Sequence, residues 1–322
     1  MKSRNPLTTD SKAIKLDYSG MMSEIIGPDS GITPVELEEL FPAAQTAAGA
    51  INEKRDSGEY GFYRLPYDTA TADTILRMAE AYQEKCDDFV VLGIGGSALG
   101  GKALFKALCS PVHNLLSQGK RGGIPRIHFL DNVDPETTKS ILDYINPEKT
   151  VFNVVTKSGT TVETISQFLI VRKILEEKLS LKDTAEHLVI TTGEESNRLT
   201  QLSEDNGYYL LTIPENVGGR FSVFSPVGLF PAAMAGIDIL ELLAGAKLMN
   251  EKTRTFNLRE NLAYMCGALH YLAGTRKGMN ITVMMPYADS LYQVACWFQQ
   301  LWSESLGKKM TVSGETVNSG QT

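Results

Sequence analysis

Val90–Leu104 reads VVLGIGGSALGGKAL. An apolar, branched run stops at a cluster of glycines, and residues with helical spacing follow. A strand, a tight turn and a helix in that order open a parallel α/β sheet. Gly93, Gly95 and Ala98 also satisfy G-x-G-x-x-A, the dinucleotide fingerprint. That fingerprint needs an acidic residue about 20 positions on, at the end of the second strand, to hold a ribose. The next strand-like run ends at Asp131, which is too far along. The loop is therefore expected to hold something smaller than a dinucleotide.

The pattern continues on the C-terminal side. Strand-like runs are FVVLGI (89–94), RIHFLD (126–131), TVFNVVT (150–156), HLVITT (187–192) and YYLLTI (208–213). Helix-like stretches at 98–109, 135–144 and 161–179 separate most of them. Short β-rich runs alternating with helices predict a five-stranded parallel sheet flanked by helices. Ligands bind such sheets at the carboxyl ends of the strands, so the loops after Ile94 and Thr156 are the places to look.

On the N-terminal side, TPVELEELFPAAQTAAGAINEKRDSG (33–58) predicts an amphipathic helix with Thr33 and Pro34 at its start and a stop near Gly58. GFYRLPYD (61–68) reads as a loop. Residues 223–275 read as helical, with Pro226 and Pro231 marking turns or kinks, and so does 290–305. Between these last two lies a sixth strand-like run, ITVMMP (281–286). A lone buried strand leaves unpaired backbone groups, each costing ~1–3 kcal/mol. This run is therefore expected either to join the first sheet or to open a second unit that the chain does not complete.

The chain has 322 residues, 43% hydrophobic and 21% charged, which suggests two domains, or one large one with subdivisions, around a large buried core. A net charge of −7 argues against a nucleic-acid binder and removes any simple electrostatic attraction to anionic membranes. An anionic substrate must then be held by local donors. No apolar run approaches ~20 residues, and the N-terminus lacks a secretory leader. Cys86, Cys109, Cys266 and Cys296 are widely spaced, which points to reduced thiols in a cytoplasmic protein. The four histidines have no ligand spacing, so no metal is expected.

Candidate chemistry lies in three further stretches. VVTKSGTTVETI (154–165) puts Thr156, Lys157, Ser158, Thr160 and Thr161 at a strand-to-helix junction. Hydroxyls and backbone N–H groups at a helix N-terminus make an anion site, and five clustered donors exceed what a cap needs. With Ser97 from the first loop they suit a single phosphate. ENVGGRFSVFSPVGL (215–229) sets Arg220 beside paired glycines after the fifth strand. CWFQQLWSESLGKK (296–309) places Gln300 and Glu304 on one helix face. The neighbours Trp297, Phe298, Leu301 and Trp302 predict a desolvated carboxylate suited to a general base. Spacing alone is equally compatible with a surface glutamate.

Four stretches, GIGGSALG, TKSGTTVET, ENVGGRFSVFSPVG and QQLWSESLGKK, resemble the phosphoglucose isomerase (glucose-6-phosphate isomerase) family in order and spacing. The resemblance covers roughly residues 60–322 and is closest to the shorter bacterial type. It implies a sugar-isomerase (SIS) α/β fold with the start of a second SIS domain. It also implies interconversion of glucose 6-phosphate and fructose 6-phosphate through a cis-enediol. By position, Gly96 and Ser97 match the first sugar-phosphate loop, and Thr156, Lys157, Ser158 and Thr161 match the phosphate-gripping segment. Arg220 matches the arginine beside the enediolate, Gln300 a substrate-contacting glutamine, and Glu304 the base between C1 and C2.

The same resemblance implies a ring-opening histidine and a C-terminal lysine that have no counterpart by motif before Thr322. The chain is thus expected to correspond to the N-terminal part of an isomerase whose parent is a homodimer. The expected division is an N-terminal helical or irregular segment (1–70), a first SIS domain (71–222), a helical connection (223–280) and the start of a second SIS domain (281–322). The rival reading is a non-catalytic sugar-phosphate-binding SIS module. A dehydrogenase comes third.

Overall fold

The computed structural model of the chain describes residues 14–317. The leader reading at 1–13 and the last five residues, 318–322, lie outside the described residues. In chain order the helices are α1 (Ser23–Ile26), α2 (Pro34–Ser57), α3 (Thr69–Gln83), α4 (Leu99–Leu108), α5 (Pro135–Tyr144) and α6 (Val162–Lys178). They continue with α7 (Leu181–Glu186), α8 (Arg198–Asn206), α9 (Pro226–Met234), α10 (Ile239–Lys252), α11 (Leu262–Lys277) and α12 (Tyr292–Leu306). The strands are β1 (Asp88–Leu92), β2 (Arg126–Leu130), β3 (Thr150–Val155), β4 (Leu188–Gly193) and β5 (Tyr209–Ile213).

All five strands pair in parallel, in the order β2-β1-β3-β4-β5. Each falls on its expected run. The three central strands are buried on both faces, which is why they read as continuous apolar runs. Side chains alternate across the sheet. Phe89 and Val91 join Val151, Val155 and Ile127 on one face, beneath Ile75 of α3 and Phe230 and Met234 of α9. Val90 and Leu92 join Phe152 and Val154 on the other, against Phe168, Val171 and Leu175 of α6. Burying each such side chain stabilises the fold by about 1.5–3 kcal/mol.

By their contacts the chain divides into two units. Among the described residues, one comprises 57–247 and 283–317 and contains the sheet. The other comprises 14–56 and 248–282. Its core is Ile32, Leu37, Leu258, Met265, Leu269 and Leu272. Here α2 begins as expected. The Glu36 N–H donates to Thr33 Oγ1 at 3.2 Å, and the Thr33 N–H donates to Glu36 Oε2 at 2.8 Å, a reciprocal cap. Ion pairs Arg276–Glu39 (2.8 Å) and Lys277–Glu36 (3.0 Å) join α11 to α2.

Two expectations need correction. GFYRLPYD is not featureless but forms two 3-10 turns, Gly61–Tyr63 and Leu65–Tyr67, before Asp68 caps α3. The sixth strand does not form. Residues 281–286 make no ladder with any described strand, and Ile281, Val283, Met284 and Met285 are exposed. Branched and sulfur side chains favour a strand only where an edge exists to pair with. No start of a second sheet is present among the described residues. No helix among them is long and apolar enough to cross a membrane, and the four cysteines are unpaired.

Candidate active site

The strand order reverses between β1 and β3, so the connections leaving their carboxyl ends part and open a crevice. Two of the expected loops line it. After β1, residues Gly95–Ser97 make a 3-10 turn that leads into α4. Gly95 has φ +56°, and a Cβ there would stand 3.0 Å from Gln300 Nε2. Gly96 packs directly on the backbone after β5, where a Cβ would lie 2.5 Å from the Gly219 carbonyl carbon. Ser222 Oγ ties the two segments, donating to Gly219 O (2.7 Å) and lying 3.2 Å from Gly96 O. Asp131, which follows β2, is held by Lys102 Nζ of α4 at 2.6 Å.

The loop after β3 is pinned from within. Thr156 is buried, and its hydroxyl meets that of Thr161 at 2.8 Å. Ser158 Oγ accepts from the Thr160 N–H (3.2 Å) and hydroxyl (3.0 Å). Lys157 Nζ does not stand free. It donates to Glu215 O (2.6 Å) and Val217 O (3.3 Å) and faces the Glu215 carboxylate at 3.4 Å. The Glu215 carboxyl is held below its ordinary value by the Glu195 N–H, against the effect of burial and with help from the Lys157 charge. Helices α3, α5, α8 and α9 close their first turns with Asp68, Asp134, Asn197 and Ser225. No side chain caps α4 or α6, the helices that follow β1 and β3. Their first-turn N–H groups therefore remain available to an anion.

The third wall comes from the β5–α9 connection and α12. Arg220 Nε donates to Ser305 Oγ at 2.9 Å, and its Nη1 lies 3.4 Å from Glu304 Oε2. The guanidinium lies over the Phe221 ring, 4.8 Å from its centroid, and Phe62 stacks on that ring at 4.7 Å. Gln300 Nε2 donates to Glu304 Oε1 at 2.9 Å, while Gln300 Oε1 is buried without a partner. Arg220, Gln300 and Glu304 are thus brought together beside Gly95 and Gly96. Thr156, Lys157, Ser158 and Thr161 lie on the loop of the adjacent strand.

The expected desolvation of Glu304 is not met, since its side chain is 48% exposed. Phe298 and Trp302 stack on each other, with ring centroids 5.4 Å apart. At roughly 100° per residue they lie about 120° and 160° around the helix from Glu304, whereas Trp297 and Leu301 share its face and still leave the carboxylate half open to solvent. Sequence reasoning missed Ser305, Ser222, Phe62 and Glu215. Ser305 adjoins Glu304 in the quoted motif and could have been weighed. The others act across the fold, and no local pattern signals them.

The four histidines all bond elsewhere. His128 Nε2 meets Asp88 at 2.9 Å, while His113, His187 and His270 each meet a main-chain carbonyl, of Pro125, Thr150 and Cys266. Among the described residues no three His, Cys, Asp or Glu side chains gather as a metal site would require.

Comparison with known proteins adds the family. The phosphoglucose isomerase family model matches residues 79–322. A glucose-6-phosphate isomerase of Carboxydothermus hydrogenoformans is 45% identical over 312 residues, which are 96% of this chain and 66% of that protein. One from Rubrobacter xylanophilus is 44% identical over 296 residues, 92% of this chain and 66% of that protein. Among solved structures, a hypothetical protein from Thermus thermophilus superposes with a TM-score of 0.78 at 37% identity, over 90% of this chain and 65% of that one. A glucose-6-phosphate isomerase from Chlamydia trachomatis gives 0.68 at 28%, over 79% and 47%. The chain spans 66% of the length of the two relatives first mentioned. On the family match and these identities, the chain belongs to the phosphoglucose isomerase family.

Proposed function

We propose that this chain carries the sugar-phosphate grip and the proton-transfer groups of an aldose–ketose isomerase acting on glucose 6-phosphate and fructose 6-phosphate. The observation that supports this most is the convergence of Arg220, Glu304 and Gln300 beside the Gly95–Ser97 turn. The phosphate is held by Gly96 and Ser97 on one side and by the Thr156–Thr161 loop, with Lys157 and Ser158 within it, on the other. Uncapped N-termini of α4 and α6 supply local positive potential that the chain's net charge of −7 does not. Anchoring the remote phosphate orients the reacting carbons.

Glu304 then takes the proton from C2 of the open-chain aldose. The electron pair left behind forms the C1–C2 double bond of a cis-enediol, and the carbonyl oxygen gains charge. The Arg220 guanidinium stabilises that charge, an electrostatic contribution that often dominates such steps. A proton passes from the O2 hydroxyl to O1, Glu304 returns the C2 proton to C1, and the electron pair on O2 forms the carbonyl at C2. The unpartnered Gln300 Oε1 is an acceptor for a sugar hydroxyl. Carboxylate, guanidinium and hydroxyl groups perform each step, so the reading calls for no cofactor. Four unpaired cysteines support a cytoplasmic location.

A second reading, binding without turnover, is favoured by one observation. Each of the four histidines is hydrogen-bonded to a group other than Arg220 and Glu304, and none is joined to them as a ring-opening group would be. The two readings part in one NMR experiment. Fructose 6-phosphate is incubated with the chain in D2O, and C1 deuteration is followed. Exchange above the uncatalysed rate supports the isomerase. Saturable binding without exchange supports the module.

A further inference from the structure

We infer that Lys157 is a positioning residue whose ammonium clamps the loop after β3 to the loop after β5, so that seating a phosphate beside Ser158 also fixes Arg220. The inference rests on the β3–α6 loop being the phosphate site.

A lysine between two hydroxyl donors is the residue expected to reach a phosphate as a point charge. Here its three N–H donors are already directed elsewhere. Two go to main-chain carbonyls, Glu215 O at 2.6 Å and Val217 O at 3.3 Å. These residues precede Arg220 by five and three positions, and Val217 is buried. The third donor faces the Glu215 carboxylate at 3.4 Å. That carboxylate in turn accepts the Glu195 N–H at 3.3 Å. Swinging Lys157 toward an anion would strip two carbonyls and a carboxylate of their donor.

The other end of the clamp is equally fixed. Lys157 O accepts the Gly193 N–H at 3.0 Å and lies 3.3 Å from Thr192 Oγ1. A Cβ on Gly193 would stand 2.7 Å from Glu215 Oε1 and 2.8 Å from Lys157 O, so the loops after β3, β4 and β5 meet without spare room. Beyond Val217 the contacts continue. Gly219 and the Arg220 N–H abut Gly96, and the Arg220 side chain reaches Ser305 and Glu304. An unbroken run of contacts therefore joins the phosphate loop to the guanidinium.

Calorimetry with two probes tests this. Inorganic phosphate needs the loop alone. A five-carbon aldonic acid 5-phosphate also places a carboxylate where charge develops, and so needs Arg220 as well. Glu215→Gln removes the charged contact from the clamp without touching the phosphate loop, and leaves the two main-chain bonds in place. Its phosphate affinity should stay within about twofold while the aldonate phosphate weakens about three- to fivefold, as for groups coupled through a network. Lys157→Met should likewise weaken the aldonate phosphate more than inorganic phosphate. If Lys157→Met weakens both probes equally and Glu215→Gln changes neither, Lys157 is a direct phosphate ligand and the clamp is overturned, while the phosphate reading stands. If the unsubstituted chain binds neither probe, the phosphate reading falls and the coupling falls with it.

Discussion

Arg220 and Glu304 stand 3.4 Å apart, guanidinium to carboxylate, although 84 positions separate them in the chain. Gln300 holds the other carboxylate oxygen at 2.9 Å. A base so placed keeps its orientation while remaining open to a ligand on its exposed side. Glu304→Gln retains the shape and removes the basicity. It should lower deuterium exchange at C1 of fructose 6-phosphate by about 10²–10⁴-fold. Sugar-phosphate affinity should change far less. An unchanged exchange rate would reject Glu304 as the base.

The phosphate loop makes a separable prediction. Ser158 and Thr161 present hydroxyls on the loop after β3, and α6 begins there without a side-chain cap. Hydrogen bonds to a charged group contribute about 1.5–3 kcal/mol each. Ser158→Ala combined with Thr161→Val should weaken fructose 6-phosphate binding at least tenfold. Fructose itself should bind as weakly as before. Equal losses for the two sugars would remove these hydroxyls from the phosphate site.

The contrast between β1 and residues 281–286 shows what a sequence can carry. DFVVL and ITVMM look alike as apolar, β-prone runs. The first is a strand because β2 and β3 flank it and helices cover both faces. The second has no partner edge among the described strands, and pairing is not written into either run. At the site, the glycines and hydroxyls of the two loops were legible because turn and anion chemistry are local. The Lys157–Glu215 contact spans 58 positions and depends on β4 lying between β3 and β5. The exposure of Glu304 depends on which face of α12 meets its neighbours. Trp297 and Leu301 share the helix face of Glu304, but helix spacing does not say whether another element covers that face.

Gly96 tests the close approach of two backbones. An added Cβ would meet Gly219 at 2.5 Å and the Arg220 nitrogen at 3.0 Å, and neither is a side chain that can turn aside. Gly96→Ala should cost about 1–3 kcal/mol of stability in urea unfolding, as overpacking does. It should also weaken sugar-phosphate binding, because Arg220 is pushed from the turn. Wild-type stability together with wild-type affinity would show that this approach constrains nothing.

Asp88 makes the pH prediction, at the opposite end of β1 from the site. Its carboxylate is buried and accepts from Arg126 Nε (2.7 Å) and Nη2 (2.6 Å) and from His128 Nε2 (2.9 Å). Burial by itself would raise its pKa, but the hydrogen bonds from His128 and Arg126 prevail and hold it below the ordinary aspartate value. A carboxyl depressed in the folded state binds fewer protons there than in the unfolded chain. Its contribution is therefore complete above the unfolded pKa of about 3.9 and is lost as pH falls through the folded value. Urea unfolding from pH 7 to pH 3 should show stability declining below about pH 4–5. Asp88→Asn should cost ~3 kcal/mol at pH 7, the low end for breaking a buried pair, because Arg126 is 23% exposed and can reach water. The variant should also lose part of that acid slope. If the slope is unchanged in Asp88→Asn, other carboxylates govern the acid response and the pairing of β1 with β2 does not depend on this charge.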